Sequence, residues 1–296
     1  PYLKACVQST PLPELVMPEH ADRVSEHYNK HRPRSETSSE LVQIRSFHNY
    51  VKARLIGDAV VAAAGEPIRF LDMCCGNGGD ISKLTHHNIE HYFGIDIAPD
   101  AVQRACDRLK EAQIPGDAIT FNAFSATAGN MLHNLKRFDI VSCQFAIHYA
   151  FASEATARRF VQNVAFALRE GGRFIGTLPH AEHLKKSREL LGKKFGDQHH
   201  SVAFLTSDTT FDDFGTAYKF TFKGAVNDLE EYVVKPDVLE RLCNDCGLRL
   251  VEWKTFAEFA REKSPDNHLW HRMRCTFEPV SKIYTSFHFV MESHDE

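Results

Sequence analysis

The sequence predicts an α/β protein whose core is a doubly wound, mostly parallel sheet of seven strands, with a small β-rich insertion after strand five. Two observations lead to this prediction. Short apolar runs alternate with amphipathic segments of helical length between residues 69 and 177, which is typical of a parallel sheet covered by helices on both faces. A glycine-rich loop also joins the first predicted strand to the helix that follows it.

The glycine loop is the part of the sequence that points most directly to a ligand. An apolar run ends in Asp72, and three glycines follow within residues 76–79. Glycine lets the backbone turn sharply and lets a ligand approach closely. Asp96 lies twenty positions after Gly76, at the end of the next predicted strand, where a carboxylate can accept hydrogen bonds from both hydroxyls of a ribose. This pattern fits any S-adenosylmethionine (AdoMet) enzyme and, more loosely, a dinucleotide site.

The remaining elements follow from periodicity and stop signals. The first five strands are predicted at 69–73, 91–95, 118–122, 138–143 and 173–177, and the helices at 40–56, 80–87, 99–112 and 154–169, the last ended by two glycines. After residue 179 we expect a basic helix at 181–194, strands at 201–205, 217–223 and 230–234, helices at 236–246 and 256–263, and the last two sheet strands at 248–253 and 282–291. Residues 1–39 are predicted to be an N-terminal arm and basic segment, and residues 40–296 the domain, with its insertion at about 180–235.

Composition limits the classes of function. The net charge of −4 disfavours a protein held broadly along nucleic acid, so any RNA contact should be local. No apolar run approaches the length of a membrane span, so no membrane partner is predicted. Eight scattered cysteines indicate free thiols, and Cys243-x-x-Cys246 lacks a second pair at zinc spacing, so no metal is predicted.

Several strings in this order resemble the messenger-RNA cap guanine-N7 methyltransferases. They are 25–29 (SEHYN), 45–52 (RSFHNYVK), 71–80 (LDMCCGNGGD), 142–151 (SCQFAIHYAF), 171–179 (GGRFIGTLP) and 247–252 (GLRLVE). The most specific part is Cys143-Gln144-Phe145 followed by His148-Tyr149, because other methyltransferases share the glycine loop but not this string. The resemblance implies the Rossmann-like sheet of AdoMet-dependent methyltransferases and methyl transfer to N7 of the cap guanosine.

The resemblance also implies a set of cofactor-binding residues. For AdoMet and its product S-adenosylhomocysteine (AdoHcy) they are Lys52, Cys74, Gly76, Asp96, Ser125, Gln144 and Tyr149. The ammonium of Lys52 suits the methionine carboxylate, although a solvated helix face is the alternative for a lone lysine.

For the cap, the resemblance implies a second set: His48, Asn49, Asn77, Arg108, His148, Tyr149, Pro179, Glu231 and Tyr284. A carboxylate such as Glu231, or its neighbour Glu230 if the register is off by one, can accept from N1–H and the exocyclic amine of guanine, which adenine cannot offer as a pair. The alternative for His148 is a histidine satisfied by backbone, and for Phe145 it is core packing. Guanine N7 carries a lone pair and no proton, so no catalytic acid or base is predicted.

The sequence departs from the family pattern at three positions. Cys74 replaces the first loop glycine, Asn77 replaces a loop lysine that meets cap phosphate, and Ser125 replaces an acid near the adenine. We expect weaker triphosphate binding unless Arg108, or the basic residues Arg32 and Arg34, compensate.

Three functions remain open from sequence. The first is a cap guanine-N7 methyltransferase acting on the capped 5′ end of mRNA. The second is a methyltransferase of the same fold for another small-molecule or RNA substrate, and the third is an inactive AdoMet- or cap-binding subunit. The family implies a nuclear, monomeric domain, and a start at proline hints at fusion to, or association with, other capping components.

Overall fold

A computed structural model describes residues 18–30, 39–63, 67–133, 135–223, 226–262 and 268–293. Its helices are α1 (Pro18–Lys30), α2 (Ser39–Ala62), α3 (Ile81–Leu84), α4 (Pro99–Ala112), α5 (Ala126–His133), α6 (Glu154–Ala167), α7 (Ala181–Leu191), α8 (Pro236–Asn244), α9 (Phe256–Arg261) and α10 (His268–Arg272). Its strands are β1 (Ile68–Met73), β2 (Ile89–Asp96), β3 (Gly116–Thr120), β4 (Phe138–Gln144), β5 (Leu168–Pro179), β6 (Lys194–Gly196), β7 (His200–Phe204), β8 (Ala217–Phe222), β9 (Val226–Tyr232), β10 (Leu248–Thr255) and β11 (Tyr284–Met291). Two 3-10 helices span Ile147–Ala152 and Pro279–Ile283.

The large sheet has seven strands in the order β10-β11-β5-β4-β1-β2-β3. All neighbours are parallel except β11, which runs antiparallel to both β10 and β5. Alternate residues of the central strands face opposite apolar cores: Val141 and Phe174 pack on the side of α6 and α8, and Ile140 and Ile175 on the side of α2, α3 and α4. The predicted doubly wound, mostly parallel sheet is therefore confirmed.

The insertion after β5 forms a separate antiparallel sheet in the order β6-β7-β8-β9. A third apolar core lies between this sheet, the first half of α2 and the segment around α9 and α10. Helix α2 belongs to two cores, because Phe47 and Val51 pack toward the small sheet while Leu55 and Ile56 pack against the large one. It thereby holds the two sheets in a fixed arrangement.

Several elements differ from the sequence prediction. Residues 18–30, which were assigned to an arm and basic segment, form helix α1, which lies against α4 and β9 and hydrogen-bonds the backbone of Ile97 through Ser25 Oγ at 3.2 Å. Its sequence is polar, so its order comes from tertiary contact that periodicity does not reveal. Helix α5, β6 and the 3-10 helix at Ile147–Ala152 were also missed, and α3 and α7 are shorter than expected.

Gly171 and Gly172 do not end the preceding helix, as predicted, but lie inside β5. Gly171 has φ of 69°, and a Cβ on Gly172 would lie 2.7 Å from the carbonyl oxygen of Arg169. The register of β4 against β5 shifts at this point. The two glycines therefore make a strand irregularity that a side chain would block. Residues 1–17, Arg32 and Arg34 lie outside the described residues.

Candidate functional site

A cavity of about 510 Å³ opens at the edge of the large sheet where the parallel strands have their carboxyl ends. This edge is where doubly wound sheets bind ligands. Helix α2 forms a second wall, and the small sheet closes the third side through residues that include Phe220, Phe222 and Glu231. The half beside the glycine loop is charged and polar, while the half beside the small sheet is mainly aromatic.

The loop between β1 and α3 takes a conformation that needs glycine. Gly76 and Gly78 have φ of 50° and 68°, and Cys74 adopts the same left-handed region at 66°. A Cβ on Gly78 would lie 2.5 Å from Cδ1 of Ile81 and 3.0 Å from Ala105. The loop backbone consequently approaches the cavity while it packs closely on α4 behind.

Asp96 fixes this loop and the start of α4 at the same time. Its Oδ2 accepts from the backbone N–H of Gly76 at 2.8 Å, and its Oδ1 accepts from the N–H of Ala98 at 2.9 Å. Burial raises the pKa of Asp96, although these backbone N–H groups offset part of the rise. Each carboxylate oxygen has a second acceptor site, so the same group can still receive a pair of ribose hydroxyls.

Two lysines meet one buried carboxylate beside the loop. The ammonium groups of Lys52 and Lys83 each lie 2.7 Å from Oδ1 of Asp80. Burial by itself would raise the pKa of Asp80, but the two cations outweigh it and lower the pKa to about 2. Lys52 lies on the cavity wall and Lys83 does not. The ammonium of Lys52 is therefore fixed by its ion pair with Asp80, which offsets part of its positive charge, and it does not lie on a solvated helix face.

Asp72 at the end of β1 also lines the cavity, and its role was missed from the sequence. The hydroxyl of Tyr92 donates to its Oδ2 at 2.9 Å. Burial, together with the nearby charge of Asp80, raises the pKa of Asp72 to about 8. The wall therefore carries a neutral carboxyl beside an ionised one at neutral pH.

Gln144, at the end of β4, is held on both sides of its amide. Its Nε2 donates to Ser142 Oγ at 3.0 Å, and its Oε1 accepts from Thr177 Oγ1 at 3.0 Å. The next residue, Phe145, has φ of 55°, and its N–H donates to the carbonyl oxygen of Thr177. This left-handed turn ends the strand and gives Phe145 a place on the cavity wall.

A buried polar pair lies at the far end of the cavity. Nε2 of His148 is 3.5 Å from Oε1 of Glu231, and both residues are at most 3% exposed. Among the described residues neither ring nitrogen of His148 has a hydrogen-bond partner, so backbone does not satisfy this histidine. Glu231 faces the cavity, whereas Glu230 accepts from the hydroxyl of Tyr232 at 2.7 Å and is not on the wall.

Aromatic rings surround this polar pair. The ring of Phe145 meets that of Tyr284 edge-on with centroids 4.9 Å apart, and His48 meets Tyr284 at 5.1 Å. Burial, and secondarily the charge of Lys52, lowers the pKa of His48 to about 3, so the ring is neutral. Pro179 is the register partner of Tyr284 between β5 and β11. Together these rings form an aromatic slot in this part of the cavity.

Asn49, Asn77 and Arg108 also line the cavity. Asn49 Oδ1 accepts from Lys83 Nζ at 3.0 Å, and Asn77 Oδ1 accepts from Nε of Arg104 at 2.6 Å. The two amides are therefore oriented by cations from α3 and α4.

The structure brings together every predicted site residue except Ser125. Ser125 Oγ accepts from the N–H of Ala128 at 3.2 Å, so it supports the start of α5, while Asn122 lies on the wall nearby. Asp72 and Asp80 were overlooked although both belong to the glycine-loop string. Their positions, at the end of a strand and the end of a glycine run, were the available signal.

Among the residues that the structure describes, no three His, Cys, Asp or Glu side chains are grouped so that they could hold a metal ion. The described helices also include none with the length and apolar character needed to cross a bilayer.

Comparison with known proteins identifies relatives of the whole described domain. A family model for the mRNA (guanine-N(7))-methyltransferase domain matches residues 16–290. A protein of Cryptococcus neoformans named mRNA cap guanine-N(7) methyltransferase is 36% identical over 256 residues, which cover 81% of this chain and 40% of that protein. The Schizosaccharomyces pombe protein of the same name is 34% identical over 82% of this chain and 70% of its own length. The chain thus spans about two fifths of the Cryptococcus protein and more of the fission-yeast one.

Solved structures of low sequence identity share the fold. Magnesium protoporphyrin IX methyltransferase from Synechocystis, solved with bound SAH, superimposes with a TM-score of 0.56 at 14% identity and covers 93% of this chain and all of its own. An S-adenosylmethionine-dependent methyltransferase from Clostridium acetobutylicum gives a TM-score of 0.51 at 14% identity, covering 92% of this chain and 99% of its own.

Proposed function

This chain belongs to the mRNA (guanine-N(7))-methyltransferase family, and from that premise we propose that it transfers the methyl group of AdoMet to N7 of the guanosine cap of mRNA. The observation that carries the proposal is a single cavity with two unlike halves. One half has the glycine loop, Asp96 and Lys52, and the other has Glu231 and His148 among aromatic rings. A nucleoside cofactor and a guanine base can therefore face each other inside it.

The cofactor half suits AdoMet group by group. The carboxylate of Asp96 accepts from the ribose hydroxyls, and the backbone between Cys74 and Gly76 packs against the amino acid moiety. The ammonium of Lys52 attracts the methionine carboxylate, and the fixed amide of Gln144 lines the path between the two halves.

The substrate half suits guanine. Glu231 can accept from N1–H and the exocyclic amine, which adenine does not present as a donor pair. Loss of such a partner leaves a buried carboxylate unpaired, and that penalty is the basis of the discrimination. The rings of Phe145 and Tyr284 accommodate a flat base, and their π faces can stabilise the positive charge that methylation creates.

The reaction requires no proton transfer in this arrangement. The lone pair of N7 forms the new N–C bond while the S–C bond breaks and returns its electron pair to sulfur, giving AdoHcy and N7-methylguanosine. The residues named above align N7, the methyl carbon and sulfur, and such alignment can lower the barrier by several kcal/mol, up to about 10. No catalytic acid or base is assigned.

Methyl transfer from labelled AdoMet to GpppA, with ApppA and ATP as controls, tests the proposal. Label on GpppA alone, mapped to N7, is expected. Label on other acceptors only would favour a different methyltransferase. No label from folded protein that is thermally stabilised by both AdoHcy and GpppA would favour the inactive binding subunit, because such stabilisation reports ligand affinity separately from turnover.

The partner that follows from this function is the capped 5′ end of mRNA. We further propose nuclear action, a monomeric domain, and physical association with other capping components. These proposals are supported by family membership. Location of a tagged protein in its own cells, and sedimentation of the purified chain, would test them.

A further inference from the structure

We propose that a second cavity, between α2 and the segment at α10, holds the RNA chain that follows the cap. The inference rests on the proposed function and extends it from the cap to the nucleotides beyond it. The second cavity has a volume of about 550 Å³. Asn49 and Gly79 line both this cavity and the one described above, so the two cavities adjoin.

A single ammonium group marks the boundary between the two cavities. Lys83 lines the second cavity, and its Nζ donates to Oδ1 of Asn49 and to the carbonyl oxygen of Gly79, each at 3.0 Å. The two shared residues therefore lie close to each other. A nucleotide chain that leaves the first cavity past Asn49 enters the second one directly.

The second cavity exists because α2 carries small residues on this face. Ala53 and Gly57 both line it and are four positions apart, so they lie on the same side of the helix. A Cβ on Gly57 would meet no described atom within 4 Å. Leu269 and Met273 form the wall on the side of α10. The flexible thioether of Met273 can adapt to different bases, as a site for RNA of varied sequence requires.

The charges on the wall select an anion. Arg54, Lys83 and Arg272 line the second cavity, and Asp58 is the one carboxylate among the described residues there. Lys83 lies 2.7 Å from the carboxylate of Asp80, which offsets its charge. Arg272 is exposed and has no hydrogen bond or ion pair within the part of the chain that the structure describes.

Arg54 faces the cavity from the opposite wall. Its Nη1 donates to the hydroxyl of Tyr50 at 3.2 Å, and its Nη2 lies 3.8 Å from the carboxylate of Asp58. Asp58 is 59% exposed, so this long ion pair leaves most of the charge of Arg54 available to a ligand. A sugar-phosphate chain in the groove would meet one guanidinium from α2 and one from α10, and each matches a phosphate group in shape and charge.

Helix α7 is the rival surface for the RNA chain. Its Lys185 and Lys186 are exposed and basic, but neither lines the first or the second cavity. The net charge of −4 disfavours RNA binding over the whole surface, so the basic groove that adjoins the cap site is the better candidate.

Dissociation constants for GpppA and for capped RNAs of increasing length, measured with AdoHcy present, test the proposal without relying on turnover. The wild type should bind the longer RNAs more tightly than GpppA. The Arg54→Ala, Arg272→Ala double variant should bind GpppA as the wild type does but lose about fivefold in affinity for the longest RNA, equivalent to about 1 kcal/mol. The Lys185→Ala, Lys186→Ala double variant is the matched control and should keep the full gain with length.

A change of shape without a change of charge provides a second test. Gly57→Leu should fill the groove and remove the gain in affinity with RNA length, whereas Gly57→Ala should retain most of it. Both substitutions favour the helix over glycine, so the fold should be preserved, and thermal unfolding checks this.

Salt dependence distinguishes phosphate contacts from an indirect effect. The slope of log Kd against log salt for the longest RNA should shrink by about one in the arginine double variant and should not change for GpppA. Equal losses for GpppA and the longest RNA would overturn the proposal. So would a gain with length that is absent from the wild type, unaffected in both the arginine and Gly57→Leu variants, or lost in the α7 variant instead.

The same titrations separate this proposal from the proposed function. If the wild type bound uncapped RNA as tightly as capped RNA and did not bind GpppA, the result would count against the proposed function. An effect of Gly57→Leu on that uncapped RNA would still place the chain in the second cavity.

Discussion

The hydroxyl of Tyr218 donates a hydrogen bond of 2.9 Å to Oε2 of Glu231, and the two residues are direct register partners on β8 and β9. Burial, with the adjacent carboxylate, raises the pKa of Tyr218 well above its ordinary value, so the hydroxyl remains a donor. Oε1 of Glu231 lies 3.5 Å from His148. The hydrogen bond from Tyr218 therefore fixes one oxygen of the Glu231 carboxylate, and the other oxygen lies beside His148 in the cavity.

Glu231→Gln should impair guanine recognition while it leaves the cofactor half intact. The amide nitrogen would face the N–H donors of the base, so KM for GpppA should rise at least about tenfold, with AdoMet affinity unchanged. Glu230→Gln is the matched control, because Glu230 is bonded to Tyr232 outside the cavity. Equal KM values for the two variants would show that Glu231 does not recognise guanine.

Asp96→Ala should abolish measurable AdoMet binding in isothermal titration. The substitution removes both the acceptor for the ribose and the hydrogen bonds that hold Gly76 and Ala98. Asp96→Asn, which keeps one carbonyl acceptor, should bind AdoMet more weakly than the wild type but better than the alanine variant. Wild-type affinity in Asp96→Ala would refute the cofactor assignment.

The contribution of Asp72 to the unfolding free energy should fall as pH rises from about 4 to about 8, because Asp72 holds its proton in the folded state but not in the unfolded one. Asp80 acts in the opposite sense: its low pKa stabilises the fold above about pH 4, and that contribution is lost as pH falls toward 2. The charges that act on Asp72 are those of Asp80, Lys52 and Asp96, with Tyr92 as hydrogen-bond donor.

As pH rises from about 5 to about 8, the unfolding free energy of Asp72→Asn should increase relative to that of the wild type, since the amide is neutral throughout and can still accept from Tyr92. Urea unfolding of ligand-free protein at several pH values measures this directly. The same pH dependence of unfolding free energy in Asp72→Asn and the wild type would mean that Asp72 does not hold the proton.

Lys52→Met and Lys83→Met form a matched pair that separates stability from cofactor binding. Each leaves Asp80 with one cation instead of two, so each should lower the unfolding free energy by about 1 to 3 kcal/mol. Only Lys52 lines the cavity, so only Lys52→Met should weaken AdoMet, by about tenfold. Equal AdoMet affinities in the two variants would assign Lys52 a purely structural role.

The sheet could be predicted because its strands carry their own signal. The run before Asp72 and the strand that ends in Asp96 are apolar, short and followed by loop residues, and both lie where expected. Helix α1 could not be predicted, because its residues are polar and it is ordered by contact with α4. Gly171 and Gly172 misled for another reason, since the same residue type that ends a helix also permits a strand irregularity.

The residues that line the cavity could be predicted where a single side chain carries the signal. Asp96 was predicted from its type and its position at the end of a strand, and Glu231 and Tyr284 from the resemblance to the family; all three line the cavity. The Asn77–Arg104 bond was not legible, because it joins positions 27 apart whose pairing depends on how closely α4 packs on the glycine loop. Asp72 was missed because its neutral state at pH 7 arises from burial rather than from sequence.

The position of β11 between β10 and β5 has a consequence for the order in which the protein matures on the ribosome. Tyr284 begins β11 and is the register partner of Pro179, more than a hundred residues earlier. During synthesis the glycine loop and Asp96 can assemble long before residues 284–291 emerge. Until that strand emerges, the cavity lacks the wall that Tyr284 forms, so a nascent chain that stops short of residue 284 has an incomplete cavity.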